Sequence, residues 1–413
     1  MSAETGTRNI VVVGGGIIGS TTAYFLSRHP SYDPSKDNIT LLEASKIAGG
    51  ASGKAGGLLA TWAYPAALVP LSFRLHRELA DAHDGRERWG YREVNCGQVD
   101  CKGRAIEKVE KKSKDGAKEG SSVSLEKRSA AALKKLKGAG VPEDLDWLDA
   151  DAVNYYESMS GPGETAQVHP YLFTTSMAKL AEEKGVKIEL GAMVKSINTT
   201  STSEKAVESV MYSTPDSDAP KTILASIVVL AAGPWTSRVW PSAPITALRA
   251  HSVTIKPTRP VSAYALFTEI SLAAHTLGRP AVRAAPEIYA RPDGEVYACG
   301  EGDSLVPLPA TTANVEVDQQ RCDDIIASVG TVSEELREGE VHARQACYLP
   351  NTAVRGGPFV GLTSVTGLIM AAGHTCWGIQ NAPGTGKCVS EMCFDGKVRS
   401  ANLSSLDPRK FGV

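Results

Sequence analysis

The sequence lacks the features that mark several large classes of protein. Its 413 residues carry a formal net charge of −2, which gives no indication of bulk binding to nucleic acid. No apolar run reaches the roughly 20 residues that cross a bilayer, so we predict no integral membrane segment. Residues 1–6 are polar without a signal-peptide core, and the C-terminus is not a peroxisomal signal; we therefore expect a cytoplasmic location.

Signals for metal sites and disulfide frameworks are missing as well. The eight cysteines are scattered, and no two of them form a Cys-x-x-Cys pair. We therefore predict no metal, and we expect the thiols to be reduced. The remaining composition, 42% hydrophobic and 22% charged, is that of an ordinary globular chain with room for two domains.

A glycine-rich turn near the start is the most informative segment that is present. The apolar run 9–13 leads into Gly14-x-Gly16-x-x-Gly19, and an apolar helix pattern follows at once. In this context the first glycine permits a tight turn, the second lets the backbone approach a pyrophosphate, and the third lets the helix pack on the sheet. The sequence therefore predicts a dinucleotide site at this turn, with the phosphates at the helix N-terminus.

Two further segments bear on which dinucleotide is bound. The strand 39–42 ends at Glu43, whose carboxylate can accept hydrogen bonds from a ribose and would repel the 2′-phosphate of NADP. Residues 49–59 are small and almost uncharged, which suits backbone lying against a large flat ligand. This stretch favours FAD over NAD.

Residues 102–140 differ from the rest of the chain in composition. They are rich in lysine, with glutamate and aspartate interspersed. Two interpretations stay open: a solvated insertion, or a basic patch for an acidic or membrane-surface partner.

The second half of the chain predicts sheets and a final helix. We expect strands at 207–212 and 223–230 joined by a polar loop, and an antiparallel sheet within 246–345 that includes a hairpin at 288–298. After a strand at 368–373, residues 374–381 predict an irregular loop. The last helix is then expected to open at Ala382, with Pro383 in its first turn.

Several motifs occur in a fixed order along the chain: Gly14-x-Gly16-x-x-Gly19, Glu43-Ala44-Ser45, Ala51-Ser52-Gly53, Leu230-Ala231-Ala232-Gly233-x-Trp235, and Ala372-Gly373-His374 to Ala382-Pro383-x-Thr385-Gly386. Together they resemble the FAD-dependent oxidoreductases of the D-amino-acid oxidase, glycine oxidase and monomeric sarcosine oxidase clan. Within that clan the chain looks most similar to poorly characterised fungal members.

The resemblance implies an α/β (α+β) fold with two domains. A discontinuous Rossmann-like FAD-binding domain would comprise residues 1–90, 160–245 and 346–413. A substrate domain with a mainly antiparallel sheet would comprise 91–159 and 246–345, including the Lys-rich insertion at 102–140.

The resemblance also implies FAD as the cofactor, a small-molecule substrate, and a set of cofactor-binding positions. These positions are Gly14, Gly16, Ile17, Ile18, Gly19, Glu43, Ala44, Ser45, Ser52, Gly53, Lys54, Ala55, Gly56, Gly57, Leu58, Val194, Ala232, Gly233, Cys376, Trp377, Gly378, Ile379 and Gln380.

The chain departs from the resembled family where a substrate carboxylate would bind. Leu349 and Cys376 stand where arginines are expected, and neither side chain can imitate a bidentate guanidinium. Arg249, Arg283 or Arg291 would have to replace them, or these arginines form structural ion pairs. Both interpretations stay open.

Three residues have both a chemical and a structural interpretation. Cys347 is either an inert buried cysteine or, as in sarcosine-oxidase-like members, bonded to the flavin 8α-methyl group. His374 and Trp377 are the candidates for the active site. His374 either titrates near neutral pH or is a buried hydrogen-bonding residue.

The predicted function is that of an FAD-dependent oxidoreductase acting on CH–NH or CH–NH2 donors. The C–N bond of an amine or modified amino acid would be oxidised by hydride transfer to the flavin. Two alternatives stay open: an NAD-linked Rossmann dehydrogenase, and a flavin-fold protein used for partner binding or trafficking with little catalysis.

Overall fold

The structure, a computed structural model, describes residues 7–104, 130–274 and 280–413. The strands in these ranges are β1 (Arg8–Val13), β2 (Asp37–Glu43), β3 (Leu58–Ala60), β4 (Arg92–Glu93), β5 (Asn95–Lys102), β6 (Val153–Ser158), β7 (Thr165–Gln167), β8 (Lys187–Leu190), β9 (Met193–Thr199), β10 (Val207–Thr214), β11 (Ser217–Leu224), β12 (Ile227–Leu230), β13 (Ile245–Lys256), β14 (Tyr264–Leu272), β15 (Val282–Ala284), β16 (Glu287–Ala290), β17 (Val296–Cys299), β18 (Glu340–Thr352), β19 (Phe359–Leu362) and β20 (Leu368–Ala372).

The α-helices in the same ranges are α1 (Ile17–Leu26), α2 (Val69–Ala82), α3 (Gly85–Trp89), α4 (Ala130–Gly138), α5 (Pro170–Glu182), α6 (Thr236–Val239), α7 (Gln319–Gly330), α8 (Glu334–Arg337) and α9 (Gly378–Asp395). Short 3-10 turns lie at Ala51–Gly53, Gly233–Trp235, Thr312–Asn314, Thr375–Trp377, Ser404–Leu406 and Pro408–Phe411.

A six-stranded sheet forms the centre of the first lobe, in the order β19-β20-β12-β1-β2-β8. Its strands run parallel except for β19, which is antiparallel to β20. The apolar run of β1 is buried on both faces: Ile10 and Val12 pack with the helices, and Val11 and Val13 pack against the small β9–β11 sheet. Burial on both faces explains why β1 reads as a continuous apolar run.

The second lobe is built on an eight-stranded sheet in the order β18-β13-β17-β16-β14-β5-β6, with β15 paired to β14. All of its pairings are antiparallel except that of β14 with β5. The predicted hairpin is present as β16 and β17. The predicted combination of a Rossmann-like sheet with a mainly antiparallel one is confirmed.

The domain boundaries themselves stay a prediction. One of them, between residues 345 and 346, falls inside β18. Residues 105–129 of the Lys-rich insertion lie outside the described residues. Its described end contains α4, where Lys135 pairs with Asp151 at the surface.

Two local predictions are wrong. The segment 223–230 was expected to be one strand after a polar loop. Instead β11 already begins at Ser217 and pairs with β10, and β12 leaves this small sheet to join the parallel one. The polar residues 217–221 form a strand because they lie in a solvent-facing hairpin, where alternation of apolar residues is not required.

The last helix begins at Gly378, not at Ala382, and Pro383 lies inside it. A proline at this position removes the N–H that would bond the carbonyl of Ile379. His76 on α2 supplies the missing donor to that oxygen, at 3.0 Å. Because His76 satisfies this carbonyl, the helix continues through a proline that normally marks a first turn.

No helix within the described ranges is both long enough and apolar enough to span a bilayer.

Candidate cofactor site

A cavity of about 370 Å³ lies where the carboxyl ends of β1, β2, β12 and β20 meet the N-termini of α1 and α9. In an open parallel sheet this edge is where ligands bind. The two helices run side by side: Thr21, four residues into α1, donates its hydroxyl to the carbonyl of Ala382, four residues into α9. Both helix N-termini therefore reach the same cavity wall, and both bring a partial positive charge to it.

Most of the predicted cofactor positions line this cavity. They are Gly14, Gly16, Ile17, Ile18, Glu43, Ala44, Ser52, Ala55, Val194, Ala232, Gly233, Cys376, Gly378 and Ile379. The candidate catalytic residue His374 also lies on the wall. Other predicted positions are not brought to the wall: Gly19, Ser45, Gly53, Lys54, Gly56, Gly57, Leu58, Trp377 and Gln380.

The three glycines of the first turn have separate structural reasons. Gly14 has a φ of +110°, and a Cβ there would lie 2.5 Å from the carbonyl oxygen of Ala231. A Cβ on Gly19 would lie 1.9 Å from the carbonyl oxygen of Gly14, so this residue packs the helix onto the turn. At Gly16 a Cβ would lie 3.1 Å from Ser52 Oγ. The first and third glycines fix the backbone, and the second keeps the helix N-terminus open.

Glu43 stands at the end of β2, beside the turn. Its carboxylate accepts hydrogen bonds from the backbone N–H of Gly15, at 2.7 Å, and of Ser45, at 2.8 Å. These contacts hold the carboxylate on the cavity wall. Ser45 therefore contributes by positioning Glu43, since it does not line the cavity.

Ser52 caps α1 from a distant part of the chain. Its Oγ accepts the backbone N–H of Ile17 at 2.9 Å. A ligand phosphate at this helix N-terminus would meet the Ser52 hydroxyl as well as the backbone N–H groups.

Apart from Ala55, which lines the cavity, residues 53–58 lie off the cavity wall, and some of them contact the second lobe. Lys54 Nζ donates to the carbonyl of Ala346 at 2.8 Å, and burial lowers the pKa of this amine. Gly56 packs on Tyr289, where a Cβ would lie 2.1 Å from the ring. Gly57 has a φ of +87° and lies against the carbonyl of Val168. Lys54 and Gly56 therefore contact the second lobe, whereas Gly57 packs within the first.

Gln380 is turned into the protein interior. Because α9 begins at Gly378, the side chain of Gln380 is buried, and its Oε1 accepts the backbone N–H of Ala60 at 2.9 Å. The resemblance implied a position beside the cofactor, but the structure does not bring Gln380 to the cavity wall.

The cavity wall has no guanidinium at either of the two positions where the resembled family has an arginine. Leu349 lines the cavity, as does Cys376. Arg249 is buried and paired with Asp303, Arg283 is exposed and paired with Glu269, and Arg291 donates to the carbonyl of Ala55 at 2.7 Å. The three arginines thus have structural partners, and none of them lines the cavity.

His374 is a buried hydrogen-bonding residue. Its Nε2 lies 3.1 Å from Thr385 Oγ1, and burial lowers its pKa to about 3. The ring is therefore neutral at physiological pH, unlike the titrating histidine of the first interpretation.

Trp377 lies beside the cavity in a group of aromatic rings. It packs edge to face with Trp62, at a centroid distance of 5.5 Å, and with Tyr64, at 5.9 Å. Cys347 is buried away from the cavity wall, and burial raises the pKa of its thiol to about 11.

One irregular segment of the cavity wall was not predicted. Residues 310–312 line the cavity, and the preceding carbonyls of Leu308 and Pro309 accept hydrogen bonds from Arg238 and Trp235. Trp235 and Arg238 also line the cavity, as does Lys195 beside Val194. Trp235 is part of one of the motifs described above. No local pattern in the sequence indicates that residues 303–312 pack against it.

The described residues contain no group of three or more His, Cys, Asp or Glu side chains placed to hold a metal ion.

The fold and this site define a dinucleotide-binding α/β protein with a second, antiparallel lobe. Residues 9–392 match the DAO family, described as FAD dependent oxidoreductase, and the chain belongs to that family. It is an FAD-dependent oxidoreductase, which decides against the NAD-linked alternative.

Three known proteins illustrate the similarity. The Saccharomyces cerevisiae protein TDA3, whose name assigns it provisionally to the oxidoreductases, is 36% identical over 98% of this chain and 95% of its own. The glycine oxidase of Geobacillus kaustophilus has a similar structure, with a TM-score of 0.68, 19% identity, and 97% and 98% of the two chains covered. The iminodiacetate oxidase of Chelativorans sp. BNC1 has a TM-score of 0.68 and 15% identity, covering 97% and 99%.

Proposed function

We propose that this chain oxidises the C–N bond of an amine or modified amino acid, with FAD held in the cavity between α1 and α9. The main support for the proposal is that the N-termini of α1 and α9 lie at the same cavity wall, and that this wall faces the second lobe. Glycine oxidase and iminodiacetate oxidase, which share the fold, act on substrates of this kind by their names, and this supports the substrate class.

The residues on the wall fit FAD. The turn at Gly14 and Gly16 has no side chain that would keep a pyrophosphate from the N-terminus of α1. Glu43 is fixed where a ribose hydroxyl could donate to its carboxylate, and Val194 lines the wall near β9. Most of the wall is formed by small apolar residues, which suits a flat, mostly apolar ring system.

The chemistry divides between cofactor and protein. When bound, FAD supplies a two-electron acceptor for the hydrogen on the carbon next to the substrate nitrogen. The N-terminus of α9, at Gly378, supplies N–H groups and a partial positive charge that favour negative charge on a ligand at this wall. His374 is neutral and hydrogen-bonded to Thr385. We therefore propose that it holds the loop between β20 and α9 in place and does not transfer protons.

We further infer a small-molecule substrate, which the family membership supports, and a cytoplasmic location, which is the expectation from the sequence. The Lys-rich insertion as a surface for an acidic or membrane partner also remains a proposal.

The test uses the purified chain. We expect an absorption band at about 450 nm from oxidised flavin. This band should bleach when amines are added in the absence of oxygen. Photoreduction of the same sample provides the control, because it reduces bound flavin without a substrate. Colourless protein that takes up no added FAD contradicts the cofactor site, whereas photoreducible flavin that no amine or amino acid bleaches contradicts the reaction.

A further inference from the structure

The antiparallel sheet presents a carboxylate on the face that meets the cofactor lobe. Glu287 on β16 is paired with Phe267 on β14 and with Cys299 on β17, so the three side chains project from one face. Tyr289 lies two residues along β16 on the same face, and its hydroxyl donates to Glu287. Glu287 is partly exposed, Cys299 Sγ lies 3.9 Å from its Oε2 atom, and burial raises the pKa of the Glu287 carboxyl.

A row of aromatic rings leads from this carboxylate to the cofactor cavity. The ring of Phe267 packs against Tyr289, at a centroid distance of 6.0 Å, and against Trp62, at 6.1 Å. Trp62 in turn packs edge to face with Trp377 at 5.5 Å. The neighbours of Trp377 in sequence, Cys376 and Gly378, line the cavity. The rings of Tyr289, Phe267, Trp62 and Trp377 therefore form a continuous aromatic wall that runs from Glu287 to the edge of the cavity.

Positive side chains that would neutralise Glu287 are engaged elsewhere. Arg291, the residue that follows β16, lies over the ring of Tyr297 and donates to the carbonyl of Ala55. Arg249 and Arg283 pair with Asp303 and Glu269. In the described part of the chain Glu287 has no ion pair. A carboxylate without a cation, flanked by aromatic faces, is an environment that attracts positive charge.

A neighbouring cavity beside Phe267 also carries more negative than positive charge. A second cavity of about 300 Å³ adjoins Phe267, and its lining includes Glu269 and Glu301 with Arg283. The two carboxylates outnumber the one guanidinium, which raises the local concentration of cations at the rim.

We propose that the aromatic wall and Glu287 form the substrate site, and that it selects a cationic amine lacking a carboxylate group. This inference rests on the proposed amine oxidation and names its substrate class. An amino acid would bring its carboxylate toward Glu287 and would find Leu349 and Cys376 on the cavity wall where a clamp is needed. A cationic amine without a carboxylate needs no clamp and is not repelled by Glu287.

Three small probes of one shape separate charge from size. Choline carries the cation alone, 3,3-dimethylbutan-1-ol is its uncharged isostere, and glycine betaine adds a carboxylate. We expect the FAD-loaded chain to bind choline about tenfold more tightly than either of the others. The neutral isostere lacks the positive charge that Glu287 and the rings attract, and the carboxylate of betaine is repelled by Glu287. Titration calorimetry and the change in flavin absorption measure the binding.

The variant Glu287→Gln keeps the shape of the side chain and removes its charge. We expect choline binding to weaken by about tenfold, with little change for the neutral isostere. Glu208→Gln, at an exposed carboxylate on β10, is the matched control and should behave as the parent chain.

Equal or tighter binding of betaine, or no binding of choline at millimolar concentration, overturns this inference. The parent chain alone decides this point, so the test stands even where Glu287→Gln does not fold. Photoreduction of bound FAD in the same samples shows whether the cofactor site is occupied. A chain that takes up no FAD overturns both proposals, whereas loss of choline selectivity with reducible FAD overturns only this one.

Discussion

His76 Nε2 lies 3.0 Å from the carbonyl oxygen of Ile379, the group that Pro383 leaves without its helical partner. Burial lowers the pKa of His76 to about 4, so its neutral ring donates Nε2–H to this oxygen at physiological pH. Ile379 lies on the cavity wall. One hydrogen bond from α2 therefore lets a proline-containing helix begin at Gly378 and place its N-terminus at the cofactor site.

Removing this donor should destabilise the fold through the unpaired carbonyl. We expect His76→Phe to lower the free energy of unfolding by about 2 kcal/mol, because a buried carbonyl loses its partner. Pro383→Ala restores an N–H for the same oxygen. In that background the penalty of His76→Phe should fall by about 1 kcal/mol, measured by urea unfolding. An equal penalty in both backgrounds would show that the bond does not compensate for the proline.

The same pair of residues shows where reasoning from sequence succeeds and where it stops. The turn at Gly14 to Gly19 and the acid Glu43 follow local rules, and the structure brings them to one cavity. Pro383 also follows a local rule, preference for the first turn, but the donor that overrides it lies on another helix. No local pattern links His76 to Ile379.

The missed part of the cavity has a similar origin. Residues 304–311 belong to no helix or strand, and their path is set by single contacts from Tyr348, Trp235 and Arg238. Such contacts leave no periodic trace in the sequence. The carboxylate Glu287 was missed because its importance depends on strand pairing with Phe267, which places it near the aromatic wall.

Two buried histidines predict a loss of stability in mild acid. The pKa of His76 falls from 6.5 to about 4 on folding and that of His374 to about 3, in both cases through burial. Below pH 6.5 the unfolded chain therefore binds more protons, and stability decreases as the pH falls toward 4. Each histidine contributes about 1.4 kcal/mol per pH unit to this slope. We expect His374→Asn to reduce the slope between pH 5 and 6 by that amount, measured by urea unfolding. An unchanged slope would contradict a buried neutral His374.

A methyl group on the third glycine of the turn should impair cofactor binding. In Gly19→Ala the new Cβ would lie 1.9 Å from the carbonyl oxygen of Gly14, so the turn must move away from the helix. We expect FAD affinity to fall by about tenfold or more, measured by fluorescence titration of the apoprotein. Gly138→Ala is the control, since its Cβ would have no neighbour within 4 Å. Parent-like affinity in Gly19→Ala would mean that the turn does not hold the pyrophosphate.

The segment 303–312 should slow the release of FAD. Trp235 Nε1 donates to the carbonyl of Pro309 at 2.7 Å, and Tyr348 donates to the carbonyl of Val306 at 2.9 Å. Trp235→Phe removes the first of these bonds and keeps most of the ring. We expect FAD dissociation to accelerate by about fivefold, which corresponds to about 1 kcal/mol for a lost hydrogen bond. Stopped-flow fluorescence after dilution measures the rate.

Tyr348→Phe should have a similar effect on FAD release because it loosens the same segment. Tyr155→Phe, at an exposed ring on β6, should leave the rate unchanged. If Trp235→Phe and Tyr348→Phe both release FAD at the parent rate, the segment does not retain the cofactor.

Cys347 should not be attached to the flavin. A thiolate is the nucleophile in cysteine chemistry, and burial raises the pKa of this thiol to about 11, so at neutral pH only about one molecule in ten thousand would be ionised. We expect acid precipitation to leave all of the FAD in the supernatant, and Cys347→Ser to bind as much FAD as the parent. Yellow colour that stays with the precipitate, and disappears in Cys347→Ser, would instead establish the covalent bond. It would require the thiol to ionise as FAD enters, because Cys347 is buried away from the cavity wall.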